Sequence, residues 1–137
     1  MPKGMAGSAY FQWNYKSSVI IERKGFDSYT NRFFAKMVHR YSYPYIPYDA
    51  KRKSGAHMCD NVRIQANKQR GMIVYQSWYA KFLHEGISPS GTPVKFSKEG
   101  HPLATKAWER AAWRAHKAEM LAELDAYRKK RSRQNSG

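Results

Sequence analysis

Histidine, cysteine and the carboxylates are the side chains that could do chemistry, and their spacing decides what chemistry is open to them. The chain carries five histidines, His39, His57, His84, His101 and His116, and one cysteine, Cys59. His57-Met58-Cys59 brings together two zinc-ligand types, but a four-coordinate site needs a second pair, and none stands at a matching spacing. His84-Glu85 is the nearest approach to an acid–base pair, yet neighbours on a short helix diverge, and no nucleophile lies at a defined distance. The glycines are scattered and form neither a phosphate-binding loop nor a dinucleotide fingerprint. These patterns predict no catalytic centre, no metal and no cofactor. A small nuclease or transferase would need a cluster of His or carboxylates that the sequence does not display.

Charge offers a second kind of chemistry. Lys and Arg number 25 against 10 Asp and Glu, giving +15 and a pI near 10.1. Such an excess draws a chain towards DNA, RNA or an acidic protein surface. It is concentrated in Arg128-Lys129-Lys130-Arg131-Ser132-Arg133 and in Lys51-Arg52-Lys53. Both clusters read as exposed segments. Arg128, Lys129, Lys130, Arg131 and Arg133 are therefore candidate nucleic-acid contacts. No zinc-finger spacing, ribonucleoprotein motif or helix-turn-helix accompanies them.

The elements that must position these residues follow from periodicity. Val62, Ile64 and Ala66 alternate with Arg63 and Gln65, and Met72 to Tyr75 alternates likewise, so both runs read as strands. Asn67-Lys68-Gln69-Arg70-Gly71 between them has hairpin length, which predicts an antiparallel pair. Cys59 reads as a small, buried or half-buried strand residue, and a single cysteine fits a reducing compartment. Tyr79, Phe82 and Leu83 predict a short helix closed by Gly86 as a left-handed cap. A Val94-Lys95-Phe96 strand and the turn Lys98-Glu99-Gly100 are expected next.

Further upstream, Phe11 to Tyr15 alternates weakly and Ser18 to Ile21 could be a strand. Asp27 is a good N-cap for a helix ending near Tyr41, with Phe26, Tyr29, Phe33, Phe34, Met37, Val38 and Tyr41 as its apolar face. Tyr43-Pro44-Tyr45-Ile46-Pro47 breaks that helix. A last helix, opened by Pro102 or Thr105, is expected to run from about Thr105 to Arg128. Ala104, Trp108, Ala111, Ala115, Ala118 and Ala122 form one face, and Trp113, Met120, Leu124 and Tyr127 a second. A helix with two apolar faces that outruns its domain leaves surface for a partner, so Met120, Leu124 and Tyr127 are candidate interface residues.

A chain of 137 residues with 42% hydrophobic content is one domain by length. The expected class is α+β: an antiparallel sheet built on the central hairpin, packed by a helix from the N-terminal half and a long C-terminal helix. The domain is expected over residues 11–128, with a flexible arm over 1–10 and a basic flexible tail over 129–137. No apolar run approaches the ~20 residues that span a bilayer, and no signal-peptide stretch opens the chain, which predicts a protein that is neither membrane-bound nor exported.

The combination of hairpin strand, Tyr79-Ala80-x-Phe82-x-x-Glu85-Gly86, loop and His101-Pro102-x-Ala104-Thr105-x-x-Trp108 resembles the small minor capsid proteins of long-tailed bacteriophages, similar to tail-completion or head–tail joining proteins of the phage neck. The resemblance spans roughly residues 40 to 115. Pro47-Tyr48-Asp49-Ala50-Lys51-Arg52-Lys53-Ser54 keeps the order of the family's entry segment but lacks its glycine and leucine. The resemblance implies a non-enzymatic virion protein, a ring homo-oligomer, hexameric by analogy, assembled in the host bacterial cytoplasm and residing at the head–tail interface. Its partners would be neighbouring neck, connector or tail-terminator proteins, with packaged DNA as a further contact. Under it, Lys51, Arg52, Lys53 and Ser54 form one docking loop, and Ile87 to Pro93, with Ser88, Pro89 and Ser90, a second. The alternative is a basic DNA- or RNA-binding protein, for which most Trp and Tyr residues sit at core rather than stacking positions.

Overall fold

The computed structural model describes residues 10–14, 18–22, 26–48, 57–96, 98 and 100–136. Four strands, β1 (Tyr10–Asn14), β2 (Ser18–Glu22), β3 (Val62–Ala66) and β4 (Gly71–Tyr75), form an antiparallel sheet in the order β1-β2-β4-β3. Three helices accompany them: α1 (Ser28–Ser42), α2 (Ala80–Glu85) and α3 (Trp108–Ser136). The protein is an α+β fold, as its periodicity predicts.

The β3–β4 hairpin forms as read, closed where the Asn67 amide donates to the Arg70 carbonyl and the Asn67 side chain accepts from the Gln69 and Arg70 amides. Strand alternation sends Gly71, Ile73 and Tyr75 of β4 into the core beneath α1. Gly71 is required there, because a Cβ would stand 2.6 Å from the Asn31 carbonyl oxygen of α1. The absence of a side chain lets helix and sheet approach.

Asp27 caps α1 by accepting from the Thr30 amide at 2.8 Å. Phe34, Ala35, Met37 and Val38 are buried along this helix, whereas Tyr29 is 67% exposed and leaves the apolar face expected of it. A 3-10 turn at Tyr43–Tyr45 ends α1, consistent with the proline break. The core thus lies between the sheet and α1, and between α1 and α3, with Phe34, Ile73, Trp113, Met120 and Leu124 in one apolar cluster.

Four expectations are corrected. Val94 to Phe96 forms no strand; Ile87 instead bridges Pro93, closing the loop between them before a strand can start. Cys59 is buried, but in a 3-10 turn at Met58–Asp60 rather than in a strand. The last helix begins at Trp108, not Thr105, because Ala107 takes a left-handed backbone (φ 45°) while its carbonyl accepts from the Arg110 and Ala111 amides. It also continues to Ser136 through a break at His116 (φ −127°), so residues 129–136 are helix rather than a flexible tail. The His116 ring is held there between the Tyr45 hydroxyl and Glu119.

Candidate functional site

The residues carrying the motif converge at the junction of α2 and α3. Gly86 adopts the left-handed cap (φ 79°), and its amide donates to the Phe82 and Leu83 carbonyls. From there the chain runs through the loop 87–93 and returns. Ala104 is buried, the Thr105 amide donates to the Tyr45 carbonyl, and the Ala107 amide donates to the His84 carbonyl. The last of these bonds ties the start of α3 to the end of α2.

That tie brings together a pair the sequence does not announce. His84 Nε2 lies 2.7 Å from Glu109 Oε1, with the side chains 7% and 0% exposed. The partner of His84 is therefore the carboxylate of α3 and not its neighbour Glu85, which points to solvent. The imidazole stacks on Trp13 (4.0 Å between centroids, 13° between planes) and meets the edge of Trp108 at 4.9 Å. Trp108 Nε1 donates to the Tyr75 hydroxyl at 2.9 Å, and full burial pushes the Tyr75 phenol well above its ordinary range. The second carboxylate oxygen, Oε2, is buried without a hydrogen-bond partner among the described residues and lies 3.8 Å from Arg110 Nε.

A histidine oriented by a carboxylate is the beginning of a general base. The imidazole lies against Trp13 and Trp108, and the pair joins the end of α2, from which the 87–93 loop departs, to the first turn of α3. That loop is closed on itself. The Ser88 amide donates to the Thr92 carbonyl at 2.8 Å, the Gly91 amide to the Ser88 carbonyl at 2.8 Å, and the hydroxyls of Ser88, Ser90 and Thr92 form a chain. Pro89 and Ser90 are exposed and Ser88 half-buried, on a rigid rather than a slack loop. Exposed apolar side chains stand on either side of α2 in the chain, Trp78 at 74% and Ile87 at 46%. Trp78 also contacts Tyr79 and Phe82 edge-on. Spacing alone gave no role to Trp78, since an aromatic residue reads as core unless its neighbours are placed.

The other predicted site residues are distributed differently. Lys51, Arg52, Lys53 and Ser54 lie outside the described residues. Met120 and Leu124 are 0% and 2% exposed, and the Tyr127 ring stacks on Phe33 of α1 at 4.0 Å. The apolar surface of Met120 and Leu124 is covered within the same chain, which corrects the reading of these two as an interface, whereas Tyr127 is half-buried beside Phe33 and keeps an accessible edge. Three of the basic candidates are also engaged. Arg131 Nη1 lies 2.6 Å from Asp27 Oδ2 and Arg128 sits over the Phe26 ring, so these guanidiniums staple the end of α3 to the start of α1. The Arg131 guanidinium, with the Thr30 amide, lowers the Asp27 carboxyl to about 2. Lys129 pairs with Asp125 one helical turn away, while Lys130 and Arg133 are exposed.

A separate concavity of about 470 Å³ opens between α1 and the start of β3, walled by His39, Tyr43, Pro44, Cys59 and Val62. Burial lowers the His39 pKa and raises that of the Cys59 thiol, so both are neutral groups near pH 7. Among the described residues, no cluster of three or more metal-ligating side chains occurs, and no helix is long and apolar enough to cross a membrane. No family model, curated protein or solved structure matches this chain.

Proposed function

We propose that the protein is a structural subunit of a tailed-phage neck, joining head to tail or completing the tail as one member of a ring. The observation that carries this reading is the self-bonded loop 87–93, presented next to exposed Trp78 and Ile87 and anchored at its base by the buried His84–Glu109 pair. A self-bonded loop with exposed apolar side chains at and before its start in the chain docks at low entropic cost, and docking is the work such a subunit must do. Under this reading Ser88, Pro89 and Ser90 meet a neighbouring subunit or a connector or tail-terminator protein, and no turnover is involved. The segment Lys51 to Ser54 and Tyr127 remain part of the proposed docking surface, whereas Met120 and Leu124 leave it.

The test is the oligomeric state of the purified full chain by native mass spectrometry and negative-stain microscopy, beside that of a Trp78→Ser, Ile87→Ser variant. A closed ring for the wild type and smaller species for the variant are expected. A wild-type monomer at all concentrations up to the solubility limit would overturn the self-assembling ring. The excess of positive charge supports the alternative, a basic DNA- or RNA-binding protein. It would be favoured by sub-micromolar binding of a random-sequence duplex at physiological salt, tighter than the roughly 10⁻⁴ to 10⁻⁶ M of non-specific contact.

A further inference from the structure

The edge of the sheet at β3 carries an inference independent of the neck assignment. In an antiparallel pair, residues alternate between those whose amide and carbonyl face the partner strand and those whose groups face away. Two bonds fix the phase here: the Asn67 amide to the Arg70 carbonyl, and the Gln76 amide to the Asn61 carbonyl. With the register Arg63↔Val74 and Gln65↔Met72 lying between them, residues 61, 63, 65 and 67 bond inward to β4. Val62, Ile64 and Ala66 therefore turn their amides and carbonyls outward, and no described strand lies beyond β3. Arg32 confirms the phase, since its Nη1 donates to the outward Ile64 carbonyl at 3.3 Å.

That contact also places a charged stripe alongside the edge. Arg32, Lys36 and Arg40 recur at four-residue steps on α1 and share one face of the helix. Arg40 is occupied by Glu123, whereas Arg32 and Lys36 are exposed; Arg63 of β3 projects from the opposite face of the sheet, where it donates to Gln76. At the Val62 end of the same edge lies the concavity walled by Tyr43, Pro44 and Cys59. Its one carboxylate, Asp60, accepts from the Tyr43 hydroxyl at 2.7 Å.

We propose that this edge is a docking site for an extended acidic segment of a partner protein, which adds as a strand to β3, sets alternate carboxylates against Arg32 and Lys36 on the α1 face, and on that same face drops one apolar side chain into the concavity. A row of alternating N–H and C=O groups is complementary to another backbone and not to a phosphate chain, which the outward carbonyls repel. A second copy is disfavoured as the occupant. It would bring the same basic stripe against this one, and like charges facing each other across strands are destabilising. Arg32 meanwhile covers the Ile64 carbonyl of this edge and blunts it against indiscriminate pairing.

The test uses the full chain and a fluorescein-labelled octapeptide in which threonine alternates with glutamate and the last glutamate is replaced by valine, so that carboxylates and valine share one face (the valine–glutamate peptide). Two control peptides replace glutamate by lysine or carry N-methyl groups on alternate amides. Anisotropy at physiological salt is expected to show saturable binding of the valine–glutamate peptide, at least about tenfold weaker binding of the lysine peptide, and none of the N-methylated one. Amide exchange by NMR is expected to slow at Val62, Ile64 and Ala66 on saturation. Lys36→Glu should weaken binding about tenfold while leaving the melting temperature of the free protein unchanged. Absence of binding, equal binding of the lysine peptide, or slowed exchange confined to other amides would overturn the proposal. So would a single-stranded oligonucleotide that protects the same three amides. The peptide and exchange measurements stand on the wild-type chain, so they decide the matter even if the variant does not fold.

Discussion

The two ends of α3 are anchored by opposite means. At its start, Glu109 is wholly buried against His84 within a box of Trp13, Trp108 and Tyr75. At its far end, Arg131 and Arg128 reach back over solvent-facing surface to Asp27 and Phe26. The first is a hydrogen-bonded polar pair where water is excluded, so each partner is indispensable to the other; the second uses charge where water competes, and each contact is worth little alone. Between them the helix breaks at His116 and buries Met120 and Leu124 against α1. The long helix is accordingly a strap across its own domain.

The largest effect should come from breaking the buried pair. Glu109→Ala leaves His84 without its carboxylate inside an aromatic box, and His84→Ala leaves a buried carboxylate with neither oxygen bonded; each is expected to cost about 3–5 kcal/mol. Domains of this size have about 5–15 kcal/mol in all. Urea denaturation of either variant should therefore show a midpoint far below that of the wild type. A loss under about 1 kcal/mol would mean that the pair is solvated and that the two ends of the helix do not differ in kind.

Next in size is Leu124, the residue on which the sequence and the structure disagree. Removing a fully buried leucine side chain costs about 2–5 kcal/mol, so Leu124→Ala should lower the melting temperature of the isolated subunit, whatever its assembly state. Unchanged stability together with lost assembly would return Leu124 to the interface the sequence had suggested.

That disagreement shows what periodicity can and cannot reach. The hairpin, the Asp27 cap and the Gly86 cap were legible because each is decided within a few residues, by alternation, by one side-chain oxygen or by one positive φ. The apolar faces of α1 and α3 were legible singly. That each is the partner of the other depends on a pairing across more than 80 residues, such as Arg40 with Glu123, so the distal face looked surplus. The same separation hid Glu109 from His84, 25 residues apart, while the adjacent Glu85 was the nearest carboxylate in sequence and diverges from it on the helix. The basic run from Arg128 read as a solvated tail by composition. It is helix because α3 propagates through it and Arg131 finds Asp27.

The far anchor should yield a smaller effect with a characteristic pH dependence. Asp27 serves both as N-cap and as the partner of Arg131, and Asp27→Ala is expected to cost about 1 kcal/mol, the usual value of a lost cap, because the ion pair is nearly half exposed and adds little. Its carboxyl is lowered in the folded protein from 3.8 to about 2. A depressed carboxyl stabilises the fold fully above its unfolded value, and that contribution is lost as pH falls through its folded one. The stability gap between wild type and Asp27→Ala should thus be constant from neutral pH to about 4 and shrink between there and about 2. A gap that persists unchanged to pH 2 would show that Arg131 does not hold the carboxylate in solution.

The smallest expected effect concerns the strain that the near anchor sustains. Ala107 holds a positive φ at the entry to α3, a conformation that costs a residue with a Cβ about 1–2 kcal/mol and glycine very little. Glycine, however, loses about 0.5–1 kcal/mol more backbone freedom on folding. The two terms have opposite signs and similar size, so Ala107→Gly should stabilise the protein by no more than about 1 kcal/mol. Ordinary Gly-for-Ala exchange destabilises, and the sign is therefore the informative quantity. A gain, or no change, in the denaturation midpoint means that the His84 carbonyl, which accepts from the Ala107 amide, holds the turn against its own preference. A loss of the usual size would mean that the backbone relaxes to negative φ in solution, and that the buried His84–Glu109 pair positions the start of α3 without straining it.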